Sequence, residues 1–243
     1  MTPHVSPPSF GAVLRESFRD SYLVILTFVV MFIGVGQMSS RAGLDALQTV
    51  VMTALTLAAP AQAAAMSILI SAGGSASTAW ITALTAVVVI NLRFIVMVAS
   101  VLARLPKLSI GRALATLGLL SASSFAVIFP RLIDDPPRRP ALYAGTICAM
   151  CSLSAVVGAL IGNRMSGAVS PLLGATLGAV IPIYFAVLIA AQWKNRVLML
   201  NAAVGAVAVP LAAPYLGSSA LLVVPLGFAT VTTLVAGRRP KDA

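Results

Sequence analysis

The sequence predicts an all-α protein, a polytopic integral membrane helical bundle with six to eight membrane segments. Hydrophobic residues make up 59% of the chain and charged residues only 9%, and the mean hydropathy is +1.01. A soluble domain carries about 25% charged residues to cover its surface, so lipid must be the solvent of this chain. The apolar runs are continuous rather than alternating, which predicts helices and not a β-barrel.

The predicted membrane segments follow one another along the chain with short connections. Residues 1–19 carry several prolines, which oppose helix formation, and are predicted to form an N-terminal tail. Residues 20–243 then form a single transmembrane domain. Most of the apolar runs approach the roughly 20 residues that a spanning helix needs: they are 21–38, 46–71, 79–103, 113–130, 141–162, 168–193, 197–213 and 215–236.

Lysine and arginine in the loops predict the orientation of the bundle, because cytoplasmic loops are enriched in them. Eight complete crossings would place the basic loop around Arg104 outside. If 46–71, which is interrupted by Pro60, and 113–130 cross incompletely, every basic cluster and both termini are cytoplasmic. The net charge of +10 is spread over these loops with almost no aromatic residues between them. It therefore indicates orientation and contact with the lipid bilayer rather than nucleic-acid binding.

A weak internal repeat divides the chain into two halves, 20–134 and 141–243. A proline lies within an apolar run of each half, at Pro60 and at Pro182. Paired interrupted helices are the sequence feature that indicates a transporter binding site. The alternative is a chance alignment, because proline is common in membrane helices.

Arg93 is a permanent charge within an apolar run, beside Asn91. It precedes Arg104 by eleven residues, which places it roughly 16 Å from that helix end. An arginine at this depth costs about 2.5–3.5 kcal/mol on insertion scales, so it is predicted to face the bundle interior. It either binds a substrate carboxylate through its planar fork or holds helices together through carbonyls and neighbouring polar groups.

Few other polar groups lie within the runs. Gln62 follows Pro60 by two residues and is predicted to line a cavity, and Ser123 and Ser124 precede Phe125 in a serine-rich cluster. These serines either line the cavity or allow close helix packing. The acidic residues all lie near or outside the ends of the runs. With one histidine and no catalytic or metal-ligand set, the sequence predicts no enzyme, no metal and no cofactor.

Three short motifs resemble those of the AzlC-type branched-chain amino-acid permease family. The stretch LAAPAQ resembles a tyrosine-alanine-glycine-x-x-glutamine motif and keeps Gln62. Asn91-Leu92-Arg93 resembles aspartate-x-arginine and keeps Arg93. Ala122-Ser123-Ser124-Phe125 resembles aspartate-glutamate-x-phenylalanine without its two acids. The chain is thus similar to a diverged member of the family.

The resemblance implies a function. Family members are large subunits of bacterial exporters that pair with a small AzlD-type membrane subunit. This implies a multi-pass protein of the bacterial inner membrane that exports branched-chain amino acids or a similar small carboxylate. The candidate substrate-binding site comprises the residues at the motif positions, Arg93, Asn91, Gln62, Ser123, Ser124 and Phe125, together with the two prolines of the interrupted runs, Pro60 and Pro182. The missing acids imply lost proton coupling or a more anionic substrate. The alternative is a non-transporting structural or regulatory membrane subunit.

Overall fold

The computed structural model describes residues 9–73, 77–106, 108–167 and 196–216, together with isolated positions between 176 and 231. Within these residues the chain is helical and contains no strand, which confirms the prediction of a helical membrane bundle. The helices are α1 (Phe10–Arg41), α2 (Ala46–Thr56), α3 (Ala59–Ser71), α4 (Ser77–Asn91), α5 (Arg93–Leu102), α6 (Ile110–Leu117), α7 (Ala122–Asp134), α8 (Pro140–Met165) and α9 (Arg196–Leu216).

Three helical stretches of the described chain are long and apolar enough to cross a membrane. They are α1 with 32 residues, Ser77–Leu102 with 26 and α8 with 26. At 1.5 Å per residue, 26 residues span about 39 Å, more than the roughly 30 Å of a hydrocarbon core. The pair α6 and α7, bent by 115°, counts as a fourth span if it is taken as one.

The predicted tail and first membrane segment form one continuous helix from Phe10 onwards. Ser9 caps this helix, because its Oγ accepts a hydrogen bond from the backbone N–H of Ala12 at 3.3 Å. Such a cap satisfies one of the N–H groups that a helix start leaves without a partner. Residues 10–19 of the predicted tail are therefore helical; the prolines of the predicted tail lie outside the described residues.

The run 46–71 is broken, as Pro60 predicted. Helix α2 ends at Thr56, Leu57 adopts a left-handed conformation (φ 38°), and α3 begins at Ala59 with Pro60 in its first turn. Because Pro60 has no N–H, it cannot donate the hydrogen bond to the carbonyl of Thr56 that would continue α2. The prediction of a broken helix is confirmed here; the matching prediction for Pro182 lies outside the described residues.

The run 113–130 is also broken, at Gly118 to Ser121 between α6 and α7. These are the two stretches for which the charge pattern predicted incomplete crossing. Each forms two helices shorter than a span, and α6–α7 is sharply bent. The second half of the predicted repeat, 141–243, is described mainly through α8 and α9.

The packing core lies between α1 and α8, which make the most extensive contact among the described helices. Gly158 and Gly162 of α8 lie against the backbone of α1, and Gly36 of α1 lies against the backbone of α8. Small residues let membrane helices approach closely, because lipid provides no hydrophobic force to hold them together. Helices α2, α6 and α7 pack around this pair, and α3 packs on α1 and α4.

Candidate functional site

A cavity of about 100 Å³ lies where the two helix breaks meet α1 and α5. Its walls come from α1, from the α2–α3 break, from α5 and from the start of α7. Most lining side chains are apolar, and among the described residues Arg93 is the charged one. The lining residues are Phe28, Met31, Leu57, Ala58, Ala59, Pro60, Arg93, Phe94, Ser121, Ala122, Ser123 and Ala126.

Arg93 lies at the first residue of α5 and is partly buried. Its guanidinium carbon is 5.2 Å from the ring centroid of Phe94, within cation–π range. Its buried Nε has no hydrogen-bond partner among the described residues. The prediction that Arg93 faces the bundle interior is confirmed, because it lines this cavity together with Ser121 and Ser123.

The start of α7 is held at the cavity by a capping box. Ser121 Oγ accepts from the N–H of Ser124 at 3.1 Å, and Ser124 Oγ accepts from the N–H of Ser121 at 2.8 Å. Both serines are buried. The box leaves Ala122 and Ser123 at the cavity wall, so the positive end of the α7 dipole lies there. The three-residue spacing of Ser121 and Ser124 is that of a capping box, whereas the sequence had predicted a cavity lining or a packing surface.

The start of α3 contributes a second positive helix end. Its N-cap residue Ala58 has no side chain that can bond the first amides, and Ala59 and Pro60 line the cavity. Uncapped N–H groups at a helix start are ready donors for an anion. Helix α3 begins here because Pro60 cannot continue α2 and its fixed φ suits a first helical turn.

Two predicted site residues lie beside this cavity rather than in its wall. Gln62 is fully buried, its Oε1 accepts from Thr53 Oγ1 at 3.3 Å, and its Nε2 has no partner among the described residues. Asn91 lines an adjacent cavity of about 490 Å³, which shares Leu57 and Phe94 with the first. A substrate role for Gln62 and Asn91 stays a prediction.

Of the three remaining predicted site residues, two make contacts within the protein and one lies outside the described residues. Ser124 is occupied by the capping box described above. Phe125 stacks on Phe129, with ring centroids 4.9 Å apart, and does not line the cavity. Pro182 lies outside the described residues. No finding tests a binding role for these three residues.

An ion-pair network at the far end of α7 was not predicted as a functional element. Arg131 pairs with Glu16 at 2.9 Å, lies 3.5 Å from Asp20 and also pairs with Asp135. Tyr143 of α8 donates to Asp20 at 2.7 Å. The network joins α1, α7 and α8. The i, i+4 spacing of Arg131 with Asp135, and of Glu16 with Asp20, was the available sequence signal.

A second missed cluster joins α2 to α8. Asn163 Nδ2 donates to Thr49 Oγ1 at 2.9 Å and to the carbonyl of Leu44 at 3.1 Å. Thr49 and Thr53 are both fully buried and lie one turn apart on α2. Their hydroxyls therefore form a polar edge of α2 that faces α8 at one end and Gln62 at the other.

The fold and the cavity define a helical membrane protein with a positively charged interior pocket at broken helices. That arrangement is typical of membrane transport proteins. The sequence model of one protein family, described as AzlC protein, matches residues 24–181. The chain therefore belongs to the AzlC family, and it is a membrane transport-related protein. Comparison with curated proteins and comparison with solved structures gave no match.

Proposed function

We propose that this protein is a permease subunit that exports branched-chain amino acids or a similar small carboxylate, and that the cavity at Arg93 is its substrate site. The observation that carries the proposal is the meeting of three positive groups in one pocket. These are the guanidinium of Arg93 and the amino-terminal ends of α3 and α7. An anionic group is the ligand that such a pocket favours.

The cavity walls support a ligand with an aliphatic tail. Phe28 and Met31 from α1, Leu57 from the helix break and Phe94 from α5 form its apolar side. In this proposal the guanidinium binds the carboxylate through two parallel hydrogen bonds, and the apolar walls contact the tail. Broken helices at the site give the bundle two elements that can move during alternating access.

We propose that the chain lies in the bacterial inner membrane and works with a small AzlD-type membrane subunit, as the family suggests. We also propose that both termini are cytoplasmic, because basic residues are spread over the loops. The stretch Ser77–Leu102 leaves most of its apolar side chains exposed on the isolated chain. Lipid or another membrane protein must cover such a surface in the cell.

Two substitutions of Arg93 test the proposed site. Lysine keeps the charge but loses the fork, and alanine removes both, so export should fall at least about tenfold in both variants. The melting temperature should stay near that of the parent protein, because Arg93 enters no ion pair among the described residues. Arg104→Ala is the matched control, since Arg104 is exposed just beyond the carboxyl end of the same span.

The measurement is export of labelled leucine and of a labelled aliphatic carboxylate from cells that express the chain with and without the small subunit. Normal export by Arg93→Ala would contradict the carboxylate clamp. A collapsed melting temperature together with lost export would instead favour a structural role for Arg93, as in a non-transporting subunit.

A further inference from the structure

The charge balance of the cavity narrows the class of ligand. We propose that the site selects a small aliphatic monocarboxylate without an ammonium group, such as a branched 2-oxo acid, over the corresponding amino acid. This inference rests on the proposed function, because it concerns the same cavity.

Among the described residues, no carboxylate lines the cavity, so none of them can pair with an ammonium group there. The sequence contains six acidic residues. Glu16, Asp20 and Asp135 surround Arg131 at the far end of α7, and Asp45 caps α2. The fifth described acid is Asp134, at the last residue of α7. None of these five lines the cavity, and Asp242 lies outside the described residues.

The positive charge of the empty site is permanent. Arginine does not lose its proton in proteins, so Arg93 cannot become neutral when a ligand enters. The ends of α3 and α7 add partial positive charge, equivalent to roughly half an elementary charge per helix. A monocarboxylate therefore neutralises Arg93, whereas a zwitterion leaves the loaded site with a net charge of +1. An unpaired charge within a membrane protein is strongly unfavourable.

Neutral acceptors near the cavity do not change this balance. The hydroxyls of Ser121 and Ser124 bond to each other and to the first amides of α7. The carbonyl of Thr56 at the helix break could accept a hydrogen bond, but a carbonyl carries no net charge. Such groups can orient an ammonium group but cannot offset its charge. The site should therefore still bind the zwitterionic amino acid more weakly than the monocarboxylate.

The experiment is equilibrium binding to the full-length chain in lipid nanodiscs, measured by calorimetry. The ligands are 4-methyl-2-oxopentanoate, 4-methylpentanoate, L-leucine and 3-methylbutylamine, which share one branched tail. Both monocarboxylates should bind at least about tenfold more tightly than leucine, and the amine should not bind. Arg93→Gln should abolish binding of the monocarboxylates, whereas Arg104→Gln should leave it unchanged.

A variant with a new acid provides a gain-of-function arm. Ser123→Glu puts a carboxylate at the cavity wall, where it can balance an ammonium group. This variant should reduce the preference for the oxo acid over leucine by about tenfold or more. A preference unaffected by Ser123→Glu, in a variant that still binds leucine or the oxo acid, would overturn the charge argument.

The two levels of inference fail in different ways. If leucine binds as tightly as the monocarboxylates and the binding requires Arg93, the proposed permease site stands and the selectivity inference is overturned. If neither leucine nor the monocarboxylates bind, or if Arg93→Gln binds them normally, the proposed site itself is overturned, and the selectivity inference falls with it.

Discussion

The contact between α1 and α8 is so close that one added methyl group at Gly162 should destabilise the whole bundle. A Cβ at Gly162 would lie 2.0 Å from the backbone oxygen of Ile33, whereas real Cβ atoms essentially never approach a heavy atom within 3.0 Å. The obstructing atom belongs to the backbone of a long helix and cannot rotate away. Gly162→Ala therefore requires the two helices to separate by about 1 Å.

The expected cost follows from the loss of packing along this interface. Overpacking of a core typically costs about 1–3 kcal/mol of stability. In addition, atoms that move apart by about 0.5–1 Å lose a quarter to a half of their dispersion energy. Phe32, Ala155 and Ala159 are fully buried in this region. We expect a destabilisation of about 3 kcal/mol, which lowers the melting temperature by roughly 6–12 °C.

The assay uses the two cysteines of the chain as reporters. Cys148 and Cys151 are the only cysteines in the sequence, and both are buried in α8. A thiol-reactive fluorescent dye in detergent therefore reports thermal unfolding of this helix. Gly145→Ala is the matched control in α8, because its Cβ would meet Thr116 at an ordinary 3.6 Å. Equal melting temperatures for Gly162→Ala and Gly145→Ala would refute the close-packing argument.

Two further predictions concern polar contacts between helices. Arg131 and Glu16 are replaced by glutamine, singly and together, and the coupling energy between them should be at most about 1 kcal/mol in thermal-melting measurements. This coupling energy should decrease at high salt. A coupling energy independent of salt would argue against an ionic interaction between the two side chains. Thr53→Val should cost about 1–3 kcal/mol, because it removes the hydrogen bond to the buried Gln62 side chain. The double variant with Gln62→Met should recover most of this loss, and failure to recover would show that the contact is not the cause.

The helical class and the two breaks could be predicted because they depend on local chemistry. Composition alone requires lipid as the solvent, and Pro60 lacks the N–H that would continue α2. The second break coincides with a run of serines whose spacing forms a capping box at Ser121 and Ser124. In each case the determining atoms belong to neighbouring residues, so the sequence contains the whole physical cause.

The contacts between distant segments could not be predicted in the same way. Arg131 was interpreted as an orienting loop charge, yet Glu16 and Asp20 meet it across more than 100 positions of sequence. The positive-inside rule counts an arginine near a loop whether or not it pairs with an acid, so the rule could not predict this ion pair. Likewise Gln62 was expected in the cavity wall, but the turn of α3 directs it toward Thr53 instead.

The positions of the missing family acids explain why the cavity is positive. In the resemblance to the family motifs, Ala122 and Ser123 stand at two acidic positions, and both line the cavity with Arg93. In the same resemblance, Asn91 stands at a third acidic position, and it lines the adjacent cavity. Carboxylates at 122 and 123 would share the pocket with the guanidinium and offset its charge. The motif resemblance alone implies that acids are lost and an arginine is kept, without showing where these residues meet. Helices α5 and α7 bring Arg93, Ala122 and Ser123 to one pocket. The absence of carboxylates at positions 122 and 123 therefore affects the charge around any ligand that Arg93 binds.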